Sequence, residues 1–142
     1  MKRKNEFIAC CILIQGKEIF LNKRPKGKKF YGFWEFPGGK IKKHETFKTA
    51  LVRELHEELG IVTDENDFLY LETIRHSYKT SKLVIKFFSC CKWKGKPFSR
   101  EKQRIKWLNY RKIKTHKMLP ANKKIERKFF LLFAKLFVAH SF

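Results

Sequence analysis

With 142 residues, 43% of them apolar and 15% aromatic, the chain can bury one core of ordinary size, which excludes global disorder and leaves no room for two comfortable domains. Its formal net charge of +21, from 34 basic and 13 acidic residues, points to polyanions: nucleic acid, nucleotide phosphates or an anionic membrane. Lysine outnumbers arginine 26 to 8 and runs along the whole chain, so compositional bias over a solvated surface is the preferred reading, with only weak association with nucleic acid at physiological salt.

The opening stretch MKRKNEFIACCILIQGKEIF has a basic lead and an apolar run, the outline of a secretion leader. Glu6 interrupts it, the run is short, and no small-residue cleavage site follows, so a strand over residues 7–14 is predicted instead. QGK makes a turn, and residues 18–22 form the hairpin partner. The basic, aromatic loop KRPKGKKFYGFWEF comes next, with Phe30, Tyr31, Phe33 and Trp34 expected at the surface and a short strand near Trp34. Residues 46–59 carry the clearest helix. Thr46 suits an N-cap, Leu51, Leu55 and Leu59 recur at i, i+4 and i+8, and Gly60 stands where a helix end takes a left-handed residue.

Further strands are predicted over 68–76, 82–92 and 104–109, with KWKGKPFSREKQ as the loop before the last. A second helix begins near Ala121 and carries the apolar residues of IERKFFLLFAKLFVA. Its eleven mostly apolar residues, interrupted by Lys135, fall short of the roughly 20 that a membrane-spanning helix needs, so packing against the sheet is expected. The cysteines form two adjacent pairs, Cys10-Cys11 and Cys90-Cys91. Strand neighbours point to opposite faces, so neither pair has the spacing of a zinc or redox motif, and reduced thiols in a cytoplasmic protein are expected. The order of elements predicts an α/β (α+β) fold: one domain over residues 1–142, a mixed β-sheet sandwiched between helices.

Five of the 13 acidic residues fall between Glu35 and Glu58. On the helix, Glu54, Glu57 and Glu58 stand at i, i+3 and i+4, which gathers three carboxylates onto one flank beside the leucine stripe. Like charges at that spacing cost an isolated helix roughly 0.2–0.5 kcal/mol per pair. A divalent cation resolves the conflict, and magnesium takes hard carboxylate oxygens while bridging to phosphate.

With its flanks the stretch runs Gly39, five residues, Glu45, seven residues, Arg53-Glu54-Leu55, one residue, Glu57-Glu58, one residue, Gly60-Ile61. This resembles, without a departure, the 23-residue box of the Nudix hydrolases, here residues 39–61. EFPGGKI, VRELHEELGI, KWKGKPFSREKQ and LPANKKI resemble segments of the MutT branch in the same order. The resemblance implies metal-dependent hydrolysis of an oxidised guanine nucleotide, 8-oxo-dGTP, by water attack at the β-phosphorus.

By the same resemblance Glu54, Glu57, Glu58 and Glu101, with the carbonyl of Gly38, hold the metal, magnesium with manganese as a substitute. Glu54 doubles as the base, and Arg53 orients Glu57. Glu45 anchors the loop, and Gly39 and Gly60 are structural. Arg24 contacts the substrate phosphate, while Asn122 and the backbone at Phe36 read the purine. For Asn122 a helix cap is the competing role. The implied partner is a nucleoside triphosphate, handled by a monomer with no membrane span and no stable nucleic-acid complex. The rival readings are a Nudix hydrolase of CTP or of a dinucleoside polyphosphate, and a basic nucleic-acid-binding protein on the same scaffold.

Overall fold

The computed structural model of the chain describes residues 4–126, 131 and 133. β1 (Lys4–Gln15) and β2 (Glu18–Lys23) form the expected hairpin, followed by β3 (Trp34–Glu35) and β4 (Gly38–Lys40). α1 (Phe47–Leu59) leads to β5 (Leu69–Ser77), β6 (Ser81–Cys90), β7 (Ile105–Asn109) and α2 (Pro120–Glu126). Short 3-10 turns cover Glu65–Asp67 and Tyr110–Thr115.

β1 is the spine of a mixed seven-stranded sheet. From Lys4 to Leu13 it pairs in parallel with β6, which pairs antiparallel with β5. On its other side Ile8, Ala9 and Cys10 pair antiparallel with β4, and Ile14 and Gln15 pair with β2, which carries β3 and β7. Strand alternation divides the core. Cys10, Ile12 and Ile14 join Ile85, Phe87, Met118 and Ile125 on the α2 side, whereas Ala9, Cys11 and Leu13 join Leu51, Leu55 and Leu59 of α1 on the other. The sheet is therefore held between the two helices. The four cysteines are free, with Cys10 and Cys11 buried in opposite halves of the core.

α1 begins and ends as its sequence dictates. The Thr46 hydroxyl accepts from the Thr49 N–H at 3.1 Å, the Thr46 N–H donates to the Thr49 hydroxyl at 2.8 Å, and Gly60 closes the helix at φ 71° with its N–H on the carbonyl of His56. β4 has no counterpart in the sequence reading because three residues, two of them glycine, carry no periodicity. β6 ends at Cys90 rather than residue 92, and β5 is bulged between Tyr70 and Glu72. The second helix starts at Pro120, and its predicted continuation from residue 127 to residue 139 lies, apart from Leu131 and Phe133, outside the described residues.

Of the four aromatics expected at the surface only Tyr31 is exposed, and Phe30, Phe33 and Trp34 are half-buried. Phe30 packs edge-on against Phe33, and the Trp34 backbone is fastened by the carbonyl of Lys117 and the N–H of Leu119. Among the described residues no helix is long and apolar enough to cross a membrane.

Thr46→Ala removes the hydroxyl that accepts the Thr49 N–H, while the backbone N–H of residue 46 keeps its bond to Thr49, and should lower stability by about 1 kcal/mol. The check is a urea titration, in which the midpoint falls with no change of slope; an unmoved midpoint would show that tertiary packing alone sets this helix start.

Candidate active site

Arg53, on α1, is the most connected side chain near the carboxylates. Its Nε donates to Glu45 Oε2 at 2.7 Å and its Nη2 to Glu45 Oε1 at 2.9 Å, the two-pronged grip that a guanidinium offers a carboxylate. Nη1 donates to Glu54 Oε1 at 2.8 Å and to Glu57 Oε2 at 3.2 Å, and Nη2 also reaches the carbonyl of Lys40 at 3.1 Å. Glu45 Oε1 in turn accepts the Lys42 N–H at 2.7 Å, so the loop before α1 is tied to the helix. The guanidinium holds the Glu45 carboxyl down at about 2.

The three helix carboxylates have different surroundings. The Glu57 side chain is 52% exposed against 15% for Glu54. Glu58 lines a cleft of about 410 Å³ together with Glu35, Glu101, Gly38, Gly39, Arg24, Phe36 and Asn122. Its Oε2 is buried with no hydrogen-bond partner. Burial first, then the charge of Glu54 and a hydrogen bond with it, and then the charges of Glu101 and Glu35, push the Glu58 carboxyl far above the usual range. Glu35 is raised to about 7 by burial, against the lowering influence of Arg24. Cys10 lies at the wall of the same cleft, its thiol driven upward by burial and by Glu35, Glu58 and Glu54.

The glycine pair has a more specific purpose than general clearance at a ligand. A Cβ on Gly38 would run into the Ala9 carbonyl of β1, and one on Gly39 would stand 2.5 Å from the Glu54 carboxyl. These two positions let β4 lie flat on β1 and let α1 bring Glu54 against β4.

Asn122 is the third residue of α2, and it does not cap that helix. Its Oδ1 accepts the buried Phe36 N–H at 2.9 Å. An N–H can only donate, so the amide orientation is fixed and the Nδ2 donors face away from Phe36. Arg24 is held at the cleft by the Lys29 carbonyl at 3.2 Å and by Glu35 at 3.8 Å.

The cleft thus collects Gly38, Gly39, Glu58, Glu101, Arg24, Phe36 and Asn122 from distant parts of the sequence. Glu54 and Glu57 are held instead by Arg53, Glu45 lies behind them, and Gly60 caps the helix. Among the described residues no three His, Cys, Asp or Glu side chains converge as a ligand set for one ion. The donor chemistry nevertheless suits a hard divalent cation, since the unpartnered buried oxygen of Glu58 stands amid carboxylates whose charges push this group upward. Glu35, Lys28, Lys29 and Tyr78 also line the cleft and were not singled out from the sequence as site residues. Glu35 had a signal in the acidic cluster, whereas Tyr78, on the turn between β5 and β6, had none.

The NUDIX domain family model matches residues 4–130. The 8-oxo-dGTP diphosphatase of Buchnera aphidicola subsp. Acyrthosiphon pisum is 43% identical over 96 residues, covering 67% of this chain and 73% of that protein. The enzyme of the same name from Haemophilus influenzae is 39% identical over 108 residues, 76% and 78% of the two chains. Among solved structures, one described as MutT from Aliivibrio salmonicida and Vibrio cholerae superposes with a TM-score of 0.76 at 30% identity, over 91% of this chain and 99% of its own.

A carboxyl with a raised value takes up a proton on folding, so it weakens the fold as pH rises from 4.5 toward 7 in the case of Glu35. Glu35→Gln, which mimics the protonated form, should therefore melt above the parent protein in chelator at pH 8, with the advantage vanishing toward pH 5. Glu45 acts in the opposite sense and only below its ordinary 4.5, and histidine contributions cancel in the difference. A melting difference that is absent, or constant across that range, would contradict the assigned electrostatics.

Proposed function

The chain belongs to the Nudix family, and from that premise we propose that it hydrolyses 8-oxo-dGTP to the nucleoside monophosphate and pyrophosphate, clearing oxidised guanine from the nucleotide pool. The observation that carries the reading is that one cleft holds both the carboxylates Glu58 and Glu101 and the fixed amide of Asn122 beside Phe36. The relatives named 8-oxo-dGTP diphosphatase support the choice of substrate.

Nudix hydrolases generally need a divalent metal. We assign magnesium, with manganese as a substitute, to Glu54, Glu57, Glu58, Glu101 and the Gly38 carbonyl, whose hard oxygen donors suit either ion. When bound, the cation neutralises the polyphosphate and polarises the phosphorus under attack. Glu54, oriented through its Oε1 by Arg53, accepts the proton of the attacking water. Arg53 keeps Glu54 and Glu57 on a common side of the helix while Glu45 anchors the guanidinium. Arg24 offers its remaining donors to the phosphate. Asn122 presents Nδ2 to the purine carbonyl, and Phe36 supplies backbone contacts. The protein acts as a monomer in the cytoplasm, where its substrate pool resides.

A panel of oxidised and normal nucleoside triphosphates, CTP and dinucleoside polyphosphates, assayed with magnesium and with pyrophosphate and orthophosphate read separately, tests the substrate. Pyrophosphate release greatest with 8-oxo-dGTP is expected; preference for CTP, or no hydrolysis at all, would overturn the assignment. Glu54→Gln should cost on the order of 10²-fold or more in kcat with the helix intact, as for other preorganised electrostatic groups. Full activity would remove Glu54 from the chemistry.

Asn122→Ala would also strand the buried Phe36 N–H, at a cost of about 1–3 kcal/mol, so it confuses stability with recognition. Asn122→Asp keeps the acceptor and removes the donors. It buries a carboxylate, so it should melt below the parent protein at neutral pH, and at temperatures where both are folded it should raise KM for 8-oxo-dGTP and narrow the advantage over dGTP. An unchanged preference would leave Asn122 a purely structural contact.

A further inference from the structure

Among the described residues, the face of the sheet opposite the cleft is incompletely covered. On it, cross-strand neighbours form rows over β1, β6 and β5: Asn5, Lys82 and Ser77 in one row, Phe7, Val84 and Arg75 in the next, then Ala9, Lys86 and Thr73. Helix α1 reaches the third row, where Ala9 is fully buried and the Lys86 ammonium lies 4.6 Å from the ring centroid of Phe47, the first helical residue. The first two rows lie beyond it. Phe7 is 49% exposed there, and the six side chains line a groove of about 410 Å³. No carboxylate lines the groove among the described residues. Glu6 and Leu83, one residue out of phase, belong to the opposite face and line the cleft, although Leu83 and His76 also border the groove.

We propose that this groove binds single-stranded nucleic acid, with Phe7 as a stacking platform for a base and Arg75 and Lys82 as contacts to the flanking phosphates. An exposed ring flanked by cations on a sheet surface offers the two interactions that single strands use without sequence preference. A polymer is favoured over a free nucleotide by charge. Outside residues 35–58 the chain carries 29 basic residues against 8 acidic ones, an excess that can engage further phosphates only if the ligand continues past the groove. Composition alone argued for weak, diffuse attraction; the groove concentrates cations around an exposed aromatic ring. The binding site lies apart from the hydrolytic cleft and does not depend on the substrate assigned to it.

The test is fluorescence polarisation with a labelled oligothymidylate of about ten nucleotides, over a salt series. Arg75→Glu/Lys82→Glu is compared with Lys92→Glu/Lys96→Glu, an equal change of charge just beyond the other end of β6. The groove pair should weaken binding at least tenfold more than the control pair, and should reduce the slope of log K against log salt by about 1.4, the value for two lost single-strand phosphate contacts. Phe7→Ala should weaken it by about fivefold or more, the lower range for one stacked base. All these positions are exposed, and unchanged melting temperatures verify the fold. Equal losses in the two pairs would overturn the proposal, as would dTMP competing as tightly as the oligomer, which would make the groove a mononucleotide site.

Discussion

One guanidinium organises the carboxylate side of this molecule. Arg53 bonds Glu45, Glu54, Glu57 and the backbone of Lys40, and so fastens the loop before α1 and the strand β4 to the helix that carries the acidic groups. Without it the helix would bear three carboxylates at repulsive spacing, with nothing to offset them until a cation arrived. The Arg53 side chain is only 19% exposed, so its charge is weakly screened, and all five planar N–H donors are used at once. Lysine has the charge but not the fork.

The second constraint is the division of β1. Alternate residues of this strand feed two cores, one under α1 and one under α2, and the parallel pairing with β6 holds both in register. Because the strand is shared, the site can draw on either side of the sheet. α1 brings Glu58 to the cleft past the edge made by β4, and α2 brings Asn122 from the other face. The Asn122–Phe36 hydrogen bond joins these contributions, since Phe36 stands between β3 and β4. Burial then sets the electrostatics, raising Glu35 and Glu58 in a chain that is otherwise overwhelmingly cationic.

Local signals made much of this legible in advance. The N-cap at Thr46, the leucine period of α1 and the left-handed Gly60 define that helix from sequence, and alternation defines β1, β2 and β5 to β7 within a few residues. The carboxylate cluster pointed to cation chemistry because repulsion at i, i+3 and i+4 needs a cause. What could not be read was tertiary. β4 is too short for a pattern, Tyr78 and Lys29 reach the cleft through loop geometry, and the half-burial of Phe30, Phe33 and Trp34 follows from contacts with residues far along the chain. Asn122 lines the cleft, but its bond to Phe36 spans 86 positions and no local rule contains it.

The most direct measurement of the central claim is the magnesium dependence of 8-oxo-dGTP hydrolysis by Arg53→Lys. Lysine preserves the charge and loses the planar set of donors, so Glu54 and Glu57 are no longer held together. The account predicts a fall in kcat of on the order of tenfold or more, the scale of a misplaced catalytic group, with a higher magnesium concentration for half-maximal activation. A variant whose kcat and magnesium activation curve match the parent protein would contradict the claim that Arg53 organises the site.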